Sequence, residues 1–226
     1  MKRYAVYFIP PAGAFARAAA AWLGYDVQTA GDVRQPVIAD LPRPLAEVTA
    51  DPRKYGFHGT IKAPFRLAEG VTSANLVVAV SGLAANLAPV GMAGLQLVNL
   101  DGFLAFVPEG DTTILNDLAA QVVRGLDPLR AGLTDAEIAR RRPDLLTPRQ
   151  CYLLDLYGYP FVLDEFRFHL TLSGPLPAKE HAIIAGAAAT HFANVVPQPF
   201  VLADICLMGE DAAGRFHVLG RYPLTA

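Results

Sequence analysis

The sequence predicts an α+β fold in which two similar lobes pack as one domain. Strand-like and helix-like segments are interspersed along the chain, and the succession of a histidine-bearing strand, a helix and a hairpin occurs twice. No linker, low-complexity run or charged tail separates the two copies. With 226 residues, 53% of them hydrophobic, the chain is long enough to bury a substantial core. Interspersed strands and helices of this kind are typical of the α+β class.

The elements of the first half are bounded by ordinary start and stop signals. Apolar runs that end at proline or turn residues predict strands, and helical spacing after a Thr or Ser predicts helices. In chain order the predictions are a strand at 3–10 ended by paired prolines, a helix at 14–24, a loop at 31–53 with one helical turn, a histidine-bearing strand at 55–61, a helix at 72–88 and a hairpin at 95–108 around Asp101-Gly102.

The second half repeats the strand, helix and hairpin after three further helices. Apolar positions at helical spacing predict the first of these helices, and a Thr before each of the next two is a candidate N-cap. The predictions are helices at 111–126, 134–142 and 147–158, a histidine-bearing strand at 165–172, a helix at 177–195 and two final strands joined by a polar turn at 209–214.

Composition and charge narrow the classes of partner. The net charge of −2 provides no global basic field for nucleic acid or anionic lipid, so a large polyanionic partner is disfavoured. The N-terminal apolar run is broken by Pro10-Pro11, which argues against a signal peptide, and no run reaches the 18 residues of a spanning helix. The two cysteines lack metal-like spacing and fit a reducing compartment. We expect a soluble cytoplasmic protein without membrane contact.

Two of the five histidines lie in near-copies of one motif, "FHGTI" and "FHLTL". Residues two apart on a strand point to the same face, so each copy has one polar and one apolar face. The polar faces carry His58, Thr60 and Lys62 in the first copy, and Arg167, His169, Thr171 and Ser173 in the second. The repetition favours a shared site over the alternative that both are ordinary strand residues.

If the two strands face each other, their residue types suit transfer at phosphorus. One imidazole can accept a proton while the other donates one, because histidine titrates near neutrality. Threonine hydroxyls can donate to phosphoryl oxygens, and Lys62 and Arg167 can stabilise the charge that develops there. This chemistry requires no metal or other cofactor. We therefore predict His58 and His169 as the catalytic pair, and Thr60, Lys62, Arg167, Thr171 and Ser173 as phosphate-binding residues.

Other catalytic signatures are absent from the sequence. It contains no HExxH or other metal-ligand spacing, no GxSxG and no GxxxxGK[ST] phosphate loop. His181, His191 and His217 are assigned to packing or to the surface. The basic run Arg140–Arg142 and the cations near the first motif fit either a solvated face or the rim of a groove that receives a phosphorylated substrate.

The paired motifs resemble those of the 2H phosphoesterase superfamily, which includes cyclic phosphodiesterases and RNA 2′-5′ ligase-like proteins. "RYAVYFIP", "YGFHGTIKAPFRL" and "GYPFVLDEFRFHLTLSG" together resemble a bacterial branch associated with phosphonate metabolism. The resemblance implies two pseudo-symmetric lobes whose motifs face a central groove. It also implies that His58 and His169 are the acid and base, and that the hydroxyls of Thr60 and Thr171 bind the phosphate. It further implies catalysis without metal.

These observations lead to one expectation with two alternatives. We expect residues 1–226 to form a single bilobal domain, with lobes near 1–110 and 111–226 that exchange strands. Each lobe would be a mainly antiparallel sheet with helices on its outer face, and the active groove would lie between them.

The expected activity is hydrolysis of a small cyclic phosphodiester of ribose or a nucleoside. The alternatives are an RNA-end 2′,3′-cyclic phosphodiesterase or ligase-like protein, and a non-catalytic nucleotide- or phosphate-binding module. The sequence leaves open the roles of the two histidines, the oligomeric state and whether residues 127–160 form a lid.

Overall fold

A computed structural model describes all 226 residues and shows an α+β fold around one seven-stranded antiparallel sheet, which confirms the predicted class. The strands are β1 (Tyr4–Phe8), β2 (Tyr25–Asp26), β3 (Gly31–Asp32), β4 (Gly59–Phe65), β5 (Val90–Met92), β6 (Leu95–Leu100), β7 (Phe103–Pro108), β8 (Leu170–Thr171), β9 (Phe200–Leu202), β10 (Asp204–Glu210) and β11 (Phe216–Pro223). The large sheet has the order β11-β10-β1-β4-β8-β7-β6, and β2/β3 and β5/β9 form two small separate pairs.

The long predicted helices are present with slightly shorter bounds. The helices are α1 (Ala14–Leu23), α2 (Leu45–Val48), α3 (Ala50–Arg53), α4 (Ser73–Ala85), α5 (Thr113–Leu126), α6 (Asp135–Arg140), α7 (Pro148–Tyr157) and α8 (Ala178–His191). Thr72, Thr134 and Thr147 each form a capping box with the residue three positions later, which fixes the start of α4, α6 and α7. None of these helices is long and apolar enough to cross a membrane.

The two halves of the sheet exchange their hairpins. The C-terminal hairpin β10/β11 joins β1 and β4, which contains the Thr of the first histidine motif, whereas β6/β7 joins β8, which contains the Thr of the second. The halves meet at a single pair, Gly59 opposite Leu170. Each half of the sheet therefore combines strands from the first and the second half of the chain, while the division into two lobes stays a prediction.

The junction depends on the missing side chain of Gly59. A Cβ atom at Gly59 would lie 2.3 Å from Cζ of Phe168, so the Phe168 ring occupies the space that any other residue would need. Phe168 belongs to the second motif and is buried in the main core. The two motifs therefore approach each other through a contact between the phenylalanine of one and the glycine of the other.

The two faces of the large sheet have different surroundings. On β1, Val6 and Phe8 point into the main core, where residues of α1, α4, α5 and α8 pack. Ala5 and Tyr7 point to the opposite face and join a smaller cluster that includes Phe216. The second face is thus only partly covered, and the candidate site lies there.

The first histidine-bearing strand starts and ends four residues later than predicted, and the second is shorter than predicted. The first begins at Gly59, because a turn with a positive φ at Gly56 (70°) precedes it. In the second, the chain forms a 3-10 turn at Leu163–Glu165, and only Leu170–Thr171 pairs as strand. Each histidine consequently lies immediately before its strand, at equivalent positions in the two motifs.

Candidate active site

His58 and His169 make the same backbone contact. Nδ1 of His58 lies 2.8 Å from the carbonyl oxygen of Gly56, and Nδ1 of His169 lies 2.8 Å from that of Arg167, in each case two residues earlier. A carbonyl oxygen can only accept a hydrogen bond, so Nδ1 carries the proton in each neutral ring. Nε2 is then the unprotonated nitrogen, available to accept a proton from a ligand.

Burial favours the neutral form of both imidazoles. It lowers the pKa of His58 to about 4, against a smaller opposing effect of the Gly56 hydrogen bond. The charge on a protonated His169 lowers the His58 pKa further. Burial also lowers the pKa of His169, with a minor contribution from the Arg167 cation. The His58 ring stacks on the buried Tyr7 ring at 4.0 Å between centroids, which fixes its plane.

The two histidines line adjoining cavities of one groove. The cavity at His58 has a volume of about 390 Å³, and the cavity at His169 about 360 Å³. Thr60, Phe103 and Tyr159 line both cavities and therefore mark the boundary between them. A ligand centred at Thr60 could reach both imidazoles.

Most of the predicted phosphate-binding residues line this groove. Thr60 and Thr171 lie in the His58 cavity, and Arg167 lies beside His169 in the other. The nearest carboxylate to Arg167 is Asp101 at 3.4 Å. Because both side chains are more than half exposed, this ion pair is weak and Arg167 can turn towards a ligand.

Ser173 lines the His58 cavity, but its hydroxyl is already hydrogen-bonded to the backbone. Oγ donates to the carbonyl oxygen of Gly174 at 2.8 Å and accepts from the backbone N–H of Leu104 at 2.9 Å. Its only proton is therefore committed to the backbone. We expect Ser173 to tie the end of the second motif to β7 rather than to bind phosphate, which corrects its predicted role.

The prediction that Lys62 shares a face with Thr60 is wrong. Tyr7 of β1 pairs with Thr60, but Val6 pairs with Lys62, so one extra residue of β4 bulges between the two pairs. A bulge places two residues opposite one and breaks the alternation of faces. Lys62 therefore follows Val6 towards the helices, while Thr60 follows Tyr7 into the groove.

The surroundings of Lys62 are those of a structural cation. Its side chain is only 4% exposed, and Nζ lies 3.2 Å from the carbonyl oxygen of Val123 and 3.7 Å from Oδ1 of Asp127. Burial lowers its pKa to about 8, and Asp127 only partly offsets this effect. Lys62 thus anchors β4 against the end of α5.

Replacing Lys62 by methionine is expected to leave KM for any groove ligand unchanged and to stabilise the fold at pH 7 by about 1 kcal/mol. The buried ammonium is removed, and Asp127 keeps Arg130 as a partner at 2.9 Å. Because the unfolded chain binds more protons between pH 8 and 10.5, the wild-type free energy of unfolding should rise across that interval, and the variant should lose this slope. Urea unfolding at several pH values measures both effects. A rise in KM comparable with that of a Thr60 variant would contradict the assignment.

Several groove residues were not predicted as site residues. Tyr159 and Phe103 lie at the boundary of the two cavities, and Arg141 lines the His58 cavity. The only sequence signal was the basic run that contains Arg141, because Tyr159 and Phe103 resemble ordinary loop and hairpin residues. No group of three or more His, Cys, Asp or Glu residues is arranged to hold a metal ion.

Comparison with known families gives one match that covers more than half of the chain. The profile of the family described as "Protein of unknown function (DUF1045)" matches residues 60–217. This range includes Thr60 of the first motif and the whole of the second motif. The description of the family specifies no activity.

Two curated relatives carry the name "Ribose 1,5-bisphosphate phosphokinase PhnN". The relative from Janthinobacterium sp. (strain Marseille) is 36% identical over 220 residues, which is 95% of this chain and 49% of that protein. The relative from Laribacter hongkongensis (strain HLHK9) is 33% identical over 224 residues, which is 94% of this chain and 49% of that protein. The chain therefore spans about half the length of the curated relatives it matches.

Among solved structures, the chain is similar to E. coli LigT complexed with NADP+. The sequence identity is 16%, the match covers 100% of this chain and 98% of that chain, and the TM-score is 0.47.

Proposed function

This chain belongs to the DUF1045 family, and we propose that it is a metal-independent phosphoesterase that hydrolyses a small cyclic phosphodiester of ribose or of a nucleoside. The observation that carries this proposal is the pair of equivalently held histidines on one groove. Each presents an unprotonated Nε2 because its Nδ1 donates to a backbone carbonyl two residues earlier. The family resemblance of the two motifs to 2H phosphoesterases supports the same activity.

The proposed reaction uses one histidine in each proton state. The neutral imidazole accepts a proton from water through Nε2 as the water oxygen attacks phosphorus. The bond between phosphorus and one ring oxygen breaks, and the protonated imidazole donates its proton to that oxygen. The product is a phosphomonoester with an adjacent free hydroxyl, and the histidines exchange a proton with solvent before the next cycle.

Hydroxyl and guanidinium groups would hold the phosphate between the imidazoles. Thr60 lines both cavities, so its hydroxyl can donate to a non-bridging oxygen at the centre of the groove. Thr171 offers a second hydroxyl from the facing motif, and Arg167 offers a mobile cation on the His169 side. These groups stabilise the charge that accumulates on the phosphoryl oxygens in the transition state.

The names of the curated relatives support a ribose phosphate as the substrate class. Their name is that of a kinase that phosphorylates ribose 1,5-bisphosphate, and this chain corresponds to about half of each protein. Opening of a ribose 1,2-cyclic phosphate by water leaves a ribose phosphomonoester, which is the class of compound such a kinase consumes. A role in phosphonate metabolism, implied by the motif resemblance, is part of this proposal.

Phosphorus NMR provides the direct test. The protein in EDTA is incubated with ribose 1,2-cyclic phosphate, its 5-phosphate, nucleoside 2′,3′-cyclic phosphates and an RNA that ends in a 2′,3′-cyclic phosphate. We expect the small cyclic phosphates to be opened to monoesters. Binding without turnover of any of them would overturn the enzyme proposal. Turnover of the RNA alone, with a rate that falls steeply with salt, would favour the RNA-end activity instead.

The expected pH profile of kcat/KM follows from the lowered pKa values of His58 and His169. The active free enzyme needs one protonated and one neutral imidazole, and both groups titrate below the ordinary value of 6.5, with His58 at about 4. We expect kcat/KM to be bell-shaped with its maximum between pH 4 and 6.5. A bound phosphate anion favours the imidazolium form, so the profile of kcat should lie at higher pH than that of kcat/KM. A kcat/KM that rises monotonically to pH 9 would contradict the two-histidine mechanism.

A further inference from the structure

We propose that Lys54 and Arg141 form a subsite for a second, terminal phosphate of the substrate, on the His58 side of the groove. This inference rests on the proposed function, because it concerns the other end of the same ligand. It assigns a direction to the bound substrate as well as a preference for doubly phosphorylated compounds. In the sequence, both residues lie in basic stretches that fit either a solvated face or the rim of a groove.

Both cations lie in the His58 cavity with their charges unpaired. Nζ of Lys54 lies 5.1 Å from the centroid of the Tyr55 ring, and Cζ of Arg141 lies 4.7 Å from that of the Tyr159 ring. Neither side chain forms an ion pair with a carboxylate. An aromatic face holds a guanidinium by its plane and leaves the N–H groups at its edge free, and these match a phosphate bidentately.

The neighbouring arginines Arg3 and Arg142 are not free to bind a terminal phosphate in this cavity. Arg3 lines the cavity, but Nε and Nη2 donate to both carboxylate oxygens of Glu210 at 2.6 and 2.7 Å. Arg142 lies outside the cavity and pairs with Asp144. Of the adjacent residues Arg141 and Arg142, only Arg141 places an unpaired positive charge inside the groove.

One carboxylate shares the cavity with the two cations. Asp51 lies beside Gly174, where a Cβ atom would meet Oδ2 at 3.1 Å, at the end of the second motif. Asp51 has no cationic partner, and it can accept a hydrogen bond from a sugar hydroxyl. With Arg3 neutralised by Glu210, the cavity retains two free cations against this one anion.

The cavity at His169 has more acidic than basic residues, unlike the cavity at His58. It contains Asp101 and Glu165 together with a single cation, Arg167, which is already near Asp101. Its remaining lining includes Phe103 and Phe161. A terminal phosphate with a charge near −2 would be repelled there and attracted to the His58 cavity. The scissile phosphate then lies at Thr60, the sugar extends past His58, and the terminal phosphate meets Lys54 and Arg141.

The test compares substrates that differ only in the terminal phosphate. For wild type, kcat/KM for ribose 1,2-cyclic phosphate 5-phosphate should exceed that for ribose 1,2-cyclic phosphate by at least tenfold, as expected for charge-assisted hydrogen bonds to phosphate. Arg141→Gln and Lys54→Gln should each reduce this ratio severalfold, and the double variant should bring it close to one. In all three variants, the rate with the substrate that lacks the 5-phosphate should fall less than the rate with the doubly phosphorylated substrate. Arg142→Gln is the matched control and should leave the ratio unchanged.

A binding measurement separates this inference from the proposed activity. Calorimetric titration with ribose 5-phosphate, which cannot be hydrolysed at a ring phosphate, should show binding that weakens in Arg141→Gln but not in Arg142→Gln. If no cyclic phosphate is hydrolysed yet this difference is found, the subsite stands and the phosphoesterase proposal fails. Equal rates for the two substrates in wild type, or an unchanged ratio in the double variant, would overturn the subsite.

Discussion

Replacing either His58 or His169 by asparagine is expected to lower kcat/KM for a cyclic phosphodiester by at least about a hundredfold, the usual loss when a general acid or base is removed. Asparagine retains an N–H at the position of Nδ1 and can still donate to the carbonyl of Gly56 or Arg167. It has no counterpart of Nε2. The substitution therefore removes the proton transfer while preserving the backbone contact, and initial rates by phosphorus NMR measure the loss.

The control for this experiment is another histidine with both ring nitrogens occupied. His181 accepts from Asn99 at 2.7 Å through Nδ1 and donates to the carbonyl of Leu176 at 2.8 Å through Nε2. We expect His181→Gln to keep the wild-type rate. Thermal unfolding should show that both active-site variants remain folded. A folded His58→Asn or His169→Asn protein with a near-wild-type rate would refute the paired mechanism.

Substituting alanine for Gly59 is expected to destabilise the protein by about 3 kcal/mol, at the upper end of the usual cost of overpacking. The new Cβ would lie 2.3 and 2.4 Å from atoms of the Phe168 ring, which is buried in the main core and has little room to withdraw. Relief of this clash would separate β4 from β8, the strands that hold the two motifs together. Urea denaturation measures the loss in the free energy of unfolding.

Two variants show whether the close approach causes this effect. A Cβ at Gly82 in α4 would meet no atom within 4 Å, so Gly82→Ala should be neutral or stabilise by up to about 1 kcal/mol through helix propensity. In Gly59→Ala combined with Phe168→Leu, the smaller side chain should relieve the clash, and the two costs should sum to more than the cost of the double variant. Strict additivity would contradict the proposed contact.

The parts of the site that the sequence predicted are those that depend on local pattern. The repetition of Phe-His-x-Thr identified both histidines and both threonines, and the structure places all four on adjoining cavities. The threonine caps of α4, α6 and α7 and the Asp101-Gly102 hairpin also follow from short-range signals, because a cap or a tight turn involves only a few consecutive residues.

The parts that the sequence could not predict depend on strands far apart in the chain. The face of Lys62 is set by a bulge whose register is defined by β1, so alternation along β4 alone gave the wrong side. An exchange of strands was expected, but which hairpin joins which histidine-bearing strand depends on the partner that each strand finds in the folded chain. Arg141 and Tyr159 reach the groove from the segment around α6 and α7, which carries no motif.

The sequence by itself determined the α+β class, the paired histidine motif and the residue types available for proton transfer. Only the tertiary structure decided which cations face the groove, which hydroxyl is already engaged and how the two motifs meet at Gly59 and Phe168. The physical reason is that secondary structure and its periodicity arise from neighbouring residues, whereas burial, charge pairing and strand register arise from residues that become neighbours only on folding.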